Sequence, residues 1–502
     1  MQYIKSVNPA TGECIKKYPT SSKQEVKKAV LKAREVFGSW SETPIPERIK
    51  HLSCIRKTLI KDQDHIVELI SQQTGKTYVE SLMSDILPTL ELISYYEENA
   101  IKILKPENRP TPMFYWNNSS SILYSPLGVV GIISPWNFPL QLSLAPAITA
   151  LAAGNTIVLK PSELSPVVGE IIEHICVGAS EELIQVIQGP GQVGQYLIKS
   201  EPDMVFFTGG VETGKKIMQS CAEKLIPVEL EMGGKDPMIV YEDADLSRAA
   251  KAAVYGAFAN AGQMCVSIER LYVQQEVLDE LTELIVEQTN KLRVGVGVDA
   301  DIGPIINPKQ MRVIDEQVSD AIGKGARNLT EYKTEGRFMQ PLILVDVNHS
   351  MKVMREETFG PVLPIQSFRD MDEAVKLAND SIYGLNASVF TKDTKKALNT
   401  ANKLQTGNCY INDVVKNIGN PHLPFGGAKK SGIGMYHGPE GLRRFSQQTS
   451  VMVNKNKGIE PNWFPYSRKK YEMIQKLLKT NYGNLNPGEK LGNLVSLYKE
   501  IR

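Results

Sequence analysis

Along EVKKAVLKAREVFGSW, apolar residues recur at Val26, Val30, Ala33 and Phe37, a spacing that predicts one buried helix face. The first hundred residues carry this helical patterning. After Pro126 the texture changes: short β-branched runs, VVGII, TIVLK, IQVI, MVFFT and VELEM, alternate with stretches of helical length. That alternation predicts a parallel sheet with crossover helices, an α/β fold. A second region of the same type is predicted after Gly234, with RLYV, VLPIQSF, NASVF and NCYIN as strands. RPTPMFYWNNSSSILYS, from Arg109, predicts a hairpin with Asn-Asn and Ser at its turn. Near the end, Leu491, Leu494, Val495, Tyr498 and Ile501 form one apolar helical stripe, with Lys490, Lys499 and Arg502 available to the polar side.

A chain of 502 residues has room for two or three domains on a prior of ~100–200 residues each. Its 57 basic and 56 acidic residues nearly cancel without long single-sign blocks, which argues against nucleic acid as a partner. From Asn462 onward, however, eight Lys/Arg face three Glu beside the aromatic cluster NWFPYSRKKY. The tail is therefore expected to be ordered at a substrate entrance or subunit contact, with peripheral membrane contact ranked last. No apolar run reaches the ~18 residues of a membrane span, and MQYIKSVNPATGE is no signal peptide. Cys14, Cys54, Cys176, Cys221, Cys265 and Cys409 lie far apart, which predicts free thiols and a reducing, cytoplasmic setting. The six histidines form no metal-binding spacing, and no G-x-S-x-G elbow is present.

Parallel sheets bind ligands beyond the carboxyl ends of their strands, where this chain places PWNFP, KPSE, FTGG and EMGG. Two glycine-rich turns compete for a nucleotide. GPGQVG, Gly189 to Gly194, fits the dinucleotide fingerprint, but Pro190 sits in its turn and the acidic residue expected about twenty positions on is displaced. In FFTGGVETGKKIMQ a strand ends at Thr208 and a helix follows Gly209 and Gly210, a frame suited to pyrophosphate or to an ordinary tight turn. FANAGQMCVSIER sets Cys265 behind a Gly-Gln pair and ahead of a strand. A buried core thiol would suit that position as well as a nucleophile would.

PWNFP, KPSE, FTGG with Gly214, ELEMGGK, FANAGQMC, EETFGP and LPFGGAKKSGIG occur in one order at compatible spacings. The chain thereby resembles the NAD(P)-dependent aldehyde dehydrogenase superfamily from about Asn8 to about Val453. The resemblance implies a Rossmann-like NAD-binding domain (1–107 and 127–233) and an α/β catalytic domain (234–446). It also implies oligomerisation strands (108–126 and 447–456), a C-terminal extension (457–502) and a homodimer or homotetramer.

By the same resemblance Cys265 is the nucleophile, Asn137 an oxyanion donor and Glu231 the base that hydrolyses a thioester, with Glu229 as its rival on the same strand face. A partly ionised thiol near neutral pH is expected to add to the aldehyde carbonyl. Lys160 and Glu163 would bind the adenosine ribose, Gly209, Gly210 and Gly214 the pyrophosphate, and Glu357 the nicotinamide ribose. Phe359 and Trp136 would line the cofactor cleft, with GPGQVG nearer the adenine. NAD is expected over NADP, because Glu163 repels a 2′-phosphate. The absence of a well-placed arginine and the form of the tail favour an apolar aldehyde. The alternatives are an acyl-transferring (coenzyme A-dependent) enzyme, a semialdehyde-specific one, and a non-catalytic structural protein.

Overall fold

The computed structural model describes residues 2–115, 117–178, 182–455, 457–458, 460 and 462–501. Pro461 and Arg502, and the side chains of Tyr498, Lys499 and Ile501, lie outside the described residues. Two compact units emerge, one of Met1–Lys105 with Tyr124–Gln447 and one of Pro106–Leu123 with Gln448–Arg502.

The first unit holds two large sheets beside two two-stranded ones. One runs, from edge to edge, Gly432–Ile433, Val228–Met232, Met204–Gly209, Val129–Ile133, Thr156–Lys160 and Ile184–Val186. All neighbours are parallel except the first pair, where Gly432 faces Glu231. The five parallel strands are the β-branched runs named above; Val129–Ile133, Thr156–Lys160 and Met204–Gly209 are buried on both faces, as parallel strands under helices must be, and the edge strand Ile184–Val186 is half-buried. The helix Lys23–Trp40 buries Val26, Val30 and Ala33, as its spacing predicts, and leaves Phe37 half-buried. Gln141–Ala153 is buried at every position, because it lies beneath the sheet and packs against the helices Ile45–Lys61 and Leu87–Leu104.

The second sheet orders Arg327–Asn328, Leu342–Val345, Val362–Phe368, Ile268–Gln274, Asp236–Val240, Ser388–Phe390 and Tyr410–Ile411. Its neighbours are parallel except at the Arg327–Asn328 edge. Sequence reading finds four of these strands and misses Arg327–Asn328, Asp236–Val240 and Leu342–Val345: the first spans two residues, and the other two are short apolar runs with a proline in or beside them, Pro237 and Pro341.

In the second unit the hairpin exists, but its turn differs from expectation. Glu107–Arg109 pairs antiparallel with residues 120–122, so Asn118 and the serines lie in the returning strand Asn118–Pro126. The turn falls earlier, where Pro110 and Pro112 prevent strand pairing. The tail forms two helices, Arg468–Tyr482 and Pro487–Ile501. Of the predicted stripe, Leu491 is 64% and Val495 50% exposed, whereas Leu497 is buried. No helix among the described residues is long and apolar enough to cross a membrane.

Candidate active site

A cavity of about 240 Å³ opens in the first unit where loops from both sheets converge, and Asn137, Glu231, Cys265, Glu357 and Phe359 line it together with Tyr436. Cys265 arrives on a strained turn. Asn260, Ala261 and Gly262 have φ of 50°, 56° and 70°, a left-handed run that costs roughly 1–3 kcal/mol at each non-glycine residue. At Gly262 a Cβ would lie 2.2 Å from the Gly360 carbonyl oxygen, so only glycine fits. Side chains hold the turn: Asn260 Nδ2 donates to the Gln263 carbonyl (3.1 Å) and Gln263 Nε2 returns a bond to the Asn260 carbonyl (3.0 Å). Gln263 Oε1 also accepts from the Ile306 N–H at 2.9 Å. The Gly-Gln pair ahead of the cysteine is thus the scaffold that presents it.

Asn137 is buried, and its Nδ2 donates one N–H to the Gln263 carbonyl at 3.1 Å. An amide nitrogen has two N–H groups, so a second stays available to an anionic oxygen. The Cys265 backbone N–H interacts with its own sulfur, the atom to which a carbonyl carbon would bond.

Glu229 and Glu231 are both buried, and tertiary contacts separate them. Glu229 Oε2 accepts from Arg444 Nε at 2.8 Å; even so, burial pushes its carboxyl up to about 7. Glu231 has no hydrogen-bond partner at either oxygen among the described residues. Burial, with Glu229 beside it, raises its pKa well above the carboxylate range. A carboxylate without partners, lining the cavity beside Cys265, is suited to exchange a proton with a bound molecule. The thiol departs from expectation. Burial, aided by Asp236, Glu231 and Glu357, pushes Cys265 upward, so the ligand-free thiol is neutral and needs a base.

On the far side of the cavity Trp136 and Phe359 meet edge to face at 5.7 Å. Glu357 Oε1 accepts from the Gly234 N–H at 3.2 Å, and burial, then Glu269, raises its carboxyl to about 8. Gly209 and Gly210 line the same cavity, and Gly210 precedes the helix Val211–Ala222. A Cβ at Gly210 would meet nothing within 4 Å, so the helix start, with its unpaired N–H groups, has open space before it. Thr213, three residues on, lines a second cavity of about 330 Å³ with Lys160, Glu163, Gly191 and Gly194. Lys160 is buried, donates to the Pro161 carbonyl at 3.0 Å and stands 3.5 Å from Glu163. Gly214 lines neither cavity; a Cβ there would lie 2.4 Å from Met232 Sδ, so it lets the helix approach the Val228–Met232 strand. Two cavities lined by residues on either side of one helix start fit a dinucleotide with a pyrophosphate at its middle.

A sequence profile of the aldehyde dehydrogenase family matches residues 1–451. The chain belongs to the aldehyde dehydrogenase family. It is 45% identical to a 4,4'-diapolycopene aldehyde oxidase of a Methylomonas species, over all of this chain and 96% of that protein. It is 34% identical to a putative NADP(+) succinate-semialdehyde dehydrogenase of Mycolicibacterium smegmatis, over 90% of this chain and 89% of that one. Among solved structures, an aldehyde dehydrogenase of Mycobacterium tuberculosis complexed with NAD+ superposes with a TM-score of 0.86 at 34% identity, over 91% of this chain and 96% of that chain. PutA of Anabaena variabilis, a putative aldehyde dehydrogenase, gives 0.87 at 33%, over 92% of this chain and 100% of that chain.

This aldehyde dehydrogenase has supports that sequence reading misses. Three carboxylates, Asp85 and Glu269 buried and Glu80 half-buried, each hold one loop of the site. Asp85 accepts from the N–H groups of Leu140 (3.0 Å) and Gln141 (3.2 Å), just after Asn137, and pairs with Lys76 at 2.5 Å. Glu80 accepts from the Asn260 N–H, five residues before Cys265. Glu269 accepts from the N–H groups of Thr358 (2.8 Å) and Phe359 (2.9 Å). All six cysteines are free thiols.

Proposed function

We propose that the enzyme oxidises an apolar aldehyde to its carboxylic acid, with NAD favoured over NADP, through a covalent adduct on Cys265. The observation that carries this reading is the meeting of Cys265, Asn137 and a partnerless Glu231 on one cavity. The thiol proton passes to solvent water as the sulfur adds to the carbonyl carbon, while Asn137 and the Cys265 N–H receive the oxyanion. A nicotinamide dinucleotide, when bound, supplies the hydride acceptor, and Trp136, Glu357, Phe359, Gly209, Gly210, Lys160 and Glu163 would hold it. Loss of hydride leaves a thioester on Cys265. Glu231, in its ionised form, then draws a proton from water as the water oxygen attacks the acyl carbon. The carbon–sulfur bond breaks, and the acid, a thiolate and protonated Glu231 result.

Hydrolysis is favoured over acyl transfer because Glu231 is free to act on water. An apolar substrate is supported by Leu142, Val313, Ile418 and Phe425 in the cavity wall. Among the described lining residues there is no Lys, Arg or His to grip a distal carboxylate. The relative named for an aldehyde of diapolycopene agrees; those named for succinate semialdehyde do not. Self-association is supported by the strand Ser446–Asn454, a largely exposed sheet edge that sedimentation velocity would test.

The deciding experiment is Glu231→Gln. Rapid mixing with a ladder of aldehydes should give a burst of reduced cofactor, then slow turnover, with the acyl group found on Cys265 by mass spectrometry; Cys265→Ala should give neither. Normal steady-state hydrolysis by the Glu231→Gln enzyme would remove Glu231 from this role.

A further inference from the structure

Tyr436 also lines the cavity with Cys265 and Glu231, and sequence reading gives it no task. Its ring is 1% exposed and held edge-on by Phe206 at 5.4 Å and Phe425 at 5.7 Å. Its backbone is paired with Phe425 in both directions, at 2.7 and 2.8 Å. The segment leading to it passes Glu231 as the edge strand Gly432–Ile433, with Gly432 opposite Glu231 and the Ser431 carbonyl accepting from the Met232 N–H at 2.8 Å. Side chain and backbone thus fix the phenol relative to the carboxylate.

The hydroxyl has one identified partner, Gln141, four residues after Asn137 and itself buried. The Gln141 amide can donate to the phenol oxygen, a hydrogen bond that favours the phenolate form. With the amide donating, the phenol O–H remains to be donated. It lies within electrostatic range of Glu231 and of Cys265, and burial together with these two raises its pKa far above its ordinary value, so the proton stays on oxygen. Glu231 presents two acceptor oxygens with no donor. A polar hydrogen without a fixed acceptor and a carboxylate without a donor, on one wall, define a place for a water molecule.

We infer that Tyr436 is a positioning residue for hydrolysis: held by Gln141, it binds the attacking water together with Glu231 and aims it at the thioester. The inference rests on the proposed function above. The bond changes are those already given; Tyr436 donates a hydrogen bond throughout and exchanges no proton. Its contribution falls on hydrolysis and not on thiol addition, whose oxyanion is served by Asn137 and the Cys265 N–H.

The test is Tyr436→Phe, which keeps the ring and its aromatic contacts, with Gln141→Leu as a second variant that removes only the tether. Rapid mixing should show a burst of reduced cofactor approaching one per Cys265, and a steady rate lowered about tenfold, the worth of a hydrogen bond or so. The acidic limb of the single-turnover hydrolysis profile should move to higher pH, because the carboxylate loses a stabilising donor. Gln141→Leu should move the same step less, and it carries the test alone if Tyr436→Phe does not fold. A wild-type ratio of burst to steady rate, or a fall confined to the burst phase, overturns the inference. If Glu231→Gln still traps the acyl-enzyme, that failure touches Tyr436 alone; if Glu231→Gln hydrolyses normally, the proposed function itself has failed.

Discussion

Glutamine at position 163 should erase most of the proposed discrimination against NADP. Glu163 lines the cavity assigned to the adenosine end, its side chain 43% exposed and 3.5 Å from the Lys160 ammonium. A 2′-phosphate placed about 4 Å from that carboxylate meets a repulsion of about 4 kcal/mol per unit-charge pair at an effective dielectric of 20, and about 1 kcal/mol in bulk water. Partial exposure puts Glu163 between these limits, and the neighbouring Lys160 offsets part of the repulsion. We therefore expect about 2 kcal/mol, or roughly a thirtyfold preference for NAD in kcat/KM. In Glu163→Gln the amide oxygen still accepts from ribose hydroxyls while the charge is gone, so the ratio should fall to within about threefold by this Coulomb term alone. The assay is initial-rate formation of reduced cofactor with each dinucleotide in turn, at low and high salt. Because an exposed charge is screened, the wild-type preference should shrink as salt rises. Equal efficiency of the wild type with both cofactors, or an unchanged ratio in Glu163→Gln, would refute the reasoning. Either result would show that Lys160 and Lys216, which line the same cavity, dominate the field there.

Two further outcomes concern stability. Lys76→Met strands Asp85 in a fully buried pair and should destabilise the protein by about 3–5 kcal/mol, read as a lowered urea midpoint, with Lys76→Met/Asp85→Asn recovering part of the loss; a loss smaller than about 1 kcal/mol would show that the two backbone donors alone suffice for Asp85. Glu357 titrates at about 8 in the folded protein, above its unfolded value, so the native state binds the proton more tightly. Its contribution is complete below the ordinary carboxylate range and is lost as pH rises through about 8; Glu229, at about 7, acts in the same direction. Urea midpoints of the ligand-free enzyme should therefore fall over that window, and less steeply in Glu357→Gln; parallel slopes would contradict the assignment.

What could be read from the sequence was what is written locally. A parallel strand followed by its ligand loop is one contiguous signal, which is why the five runs of the first sheet, Cys265 and the loops after Ile133 and Lys160 are visible. Glu229 and Glu231 show the limit. Their alternation puts both on one strand face, and only Arg444, 215 positions away, distinguishes them. Asp85 and Glu80 act on backbone groups 55 and 180 positions distant, and no periodicity encodes such a contact. The protonation of Cys265 escapes the sequence for a related reason: it depends on burial beside Asp236, Glu231 and Glu357, three carboxyl groups that come from separate segments of the chain. Tyr436 carries no motif of its own, and its significance arises only when the Gly432–Ile433 strand is laid beside Glu231.

Glu80 and Asp85 lie on one continuous helical run, the short helix Tyr78–Ser81 passing through a π-helical turn, Leu82–Ile86, into Leu87–Leu104. One carboxylate anchors the loop that carries Cys265, the proposed nucleophile, the other the loop that follows Asn137, the proposed oxyanion donor. That run is therefore a spacer whose length sets how far the sulfur stands from the amide. The wider π turn is part of its gauge. Inserting or deleting one residue between 80 and 85 would rotate one anchor by about 100° relative to the other, leaving both sheets intact and the two halves of the catalytic machinery out of step.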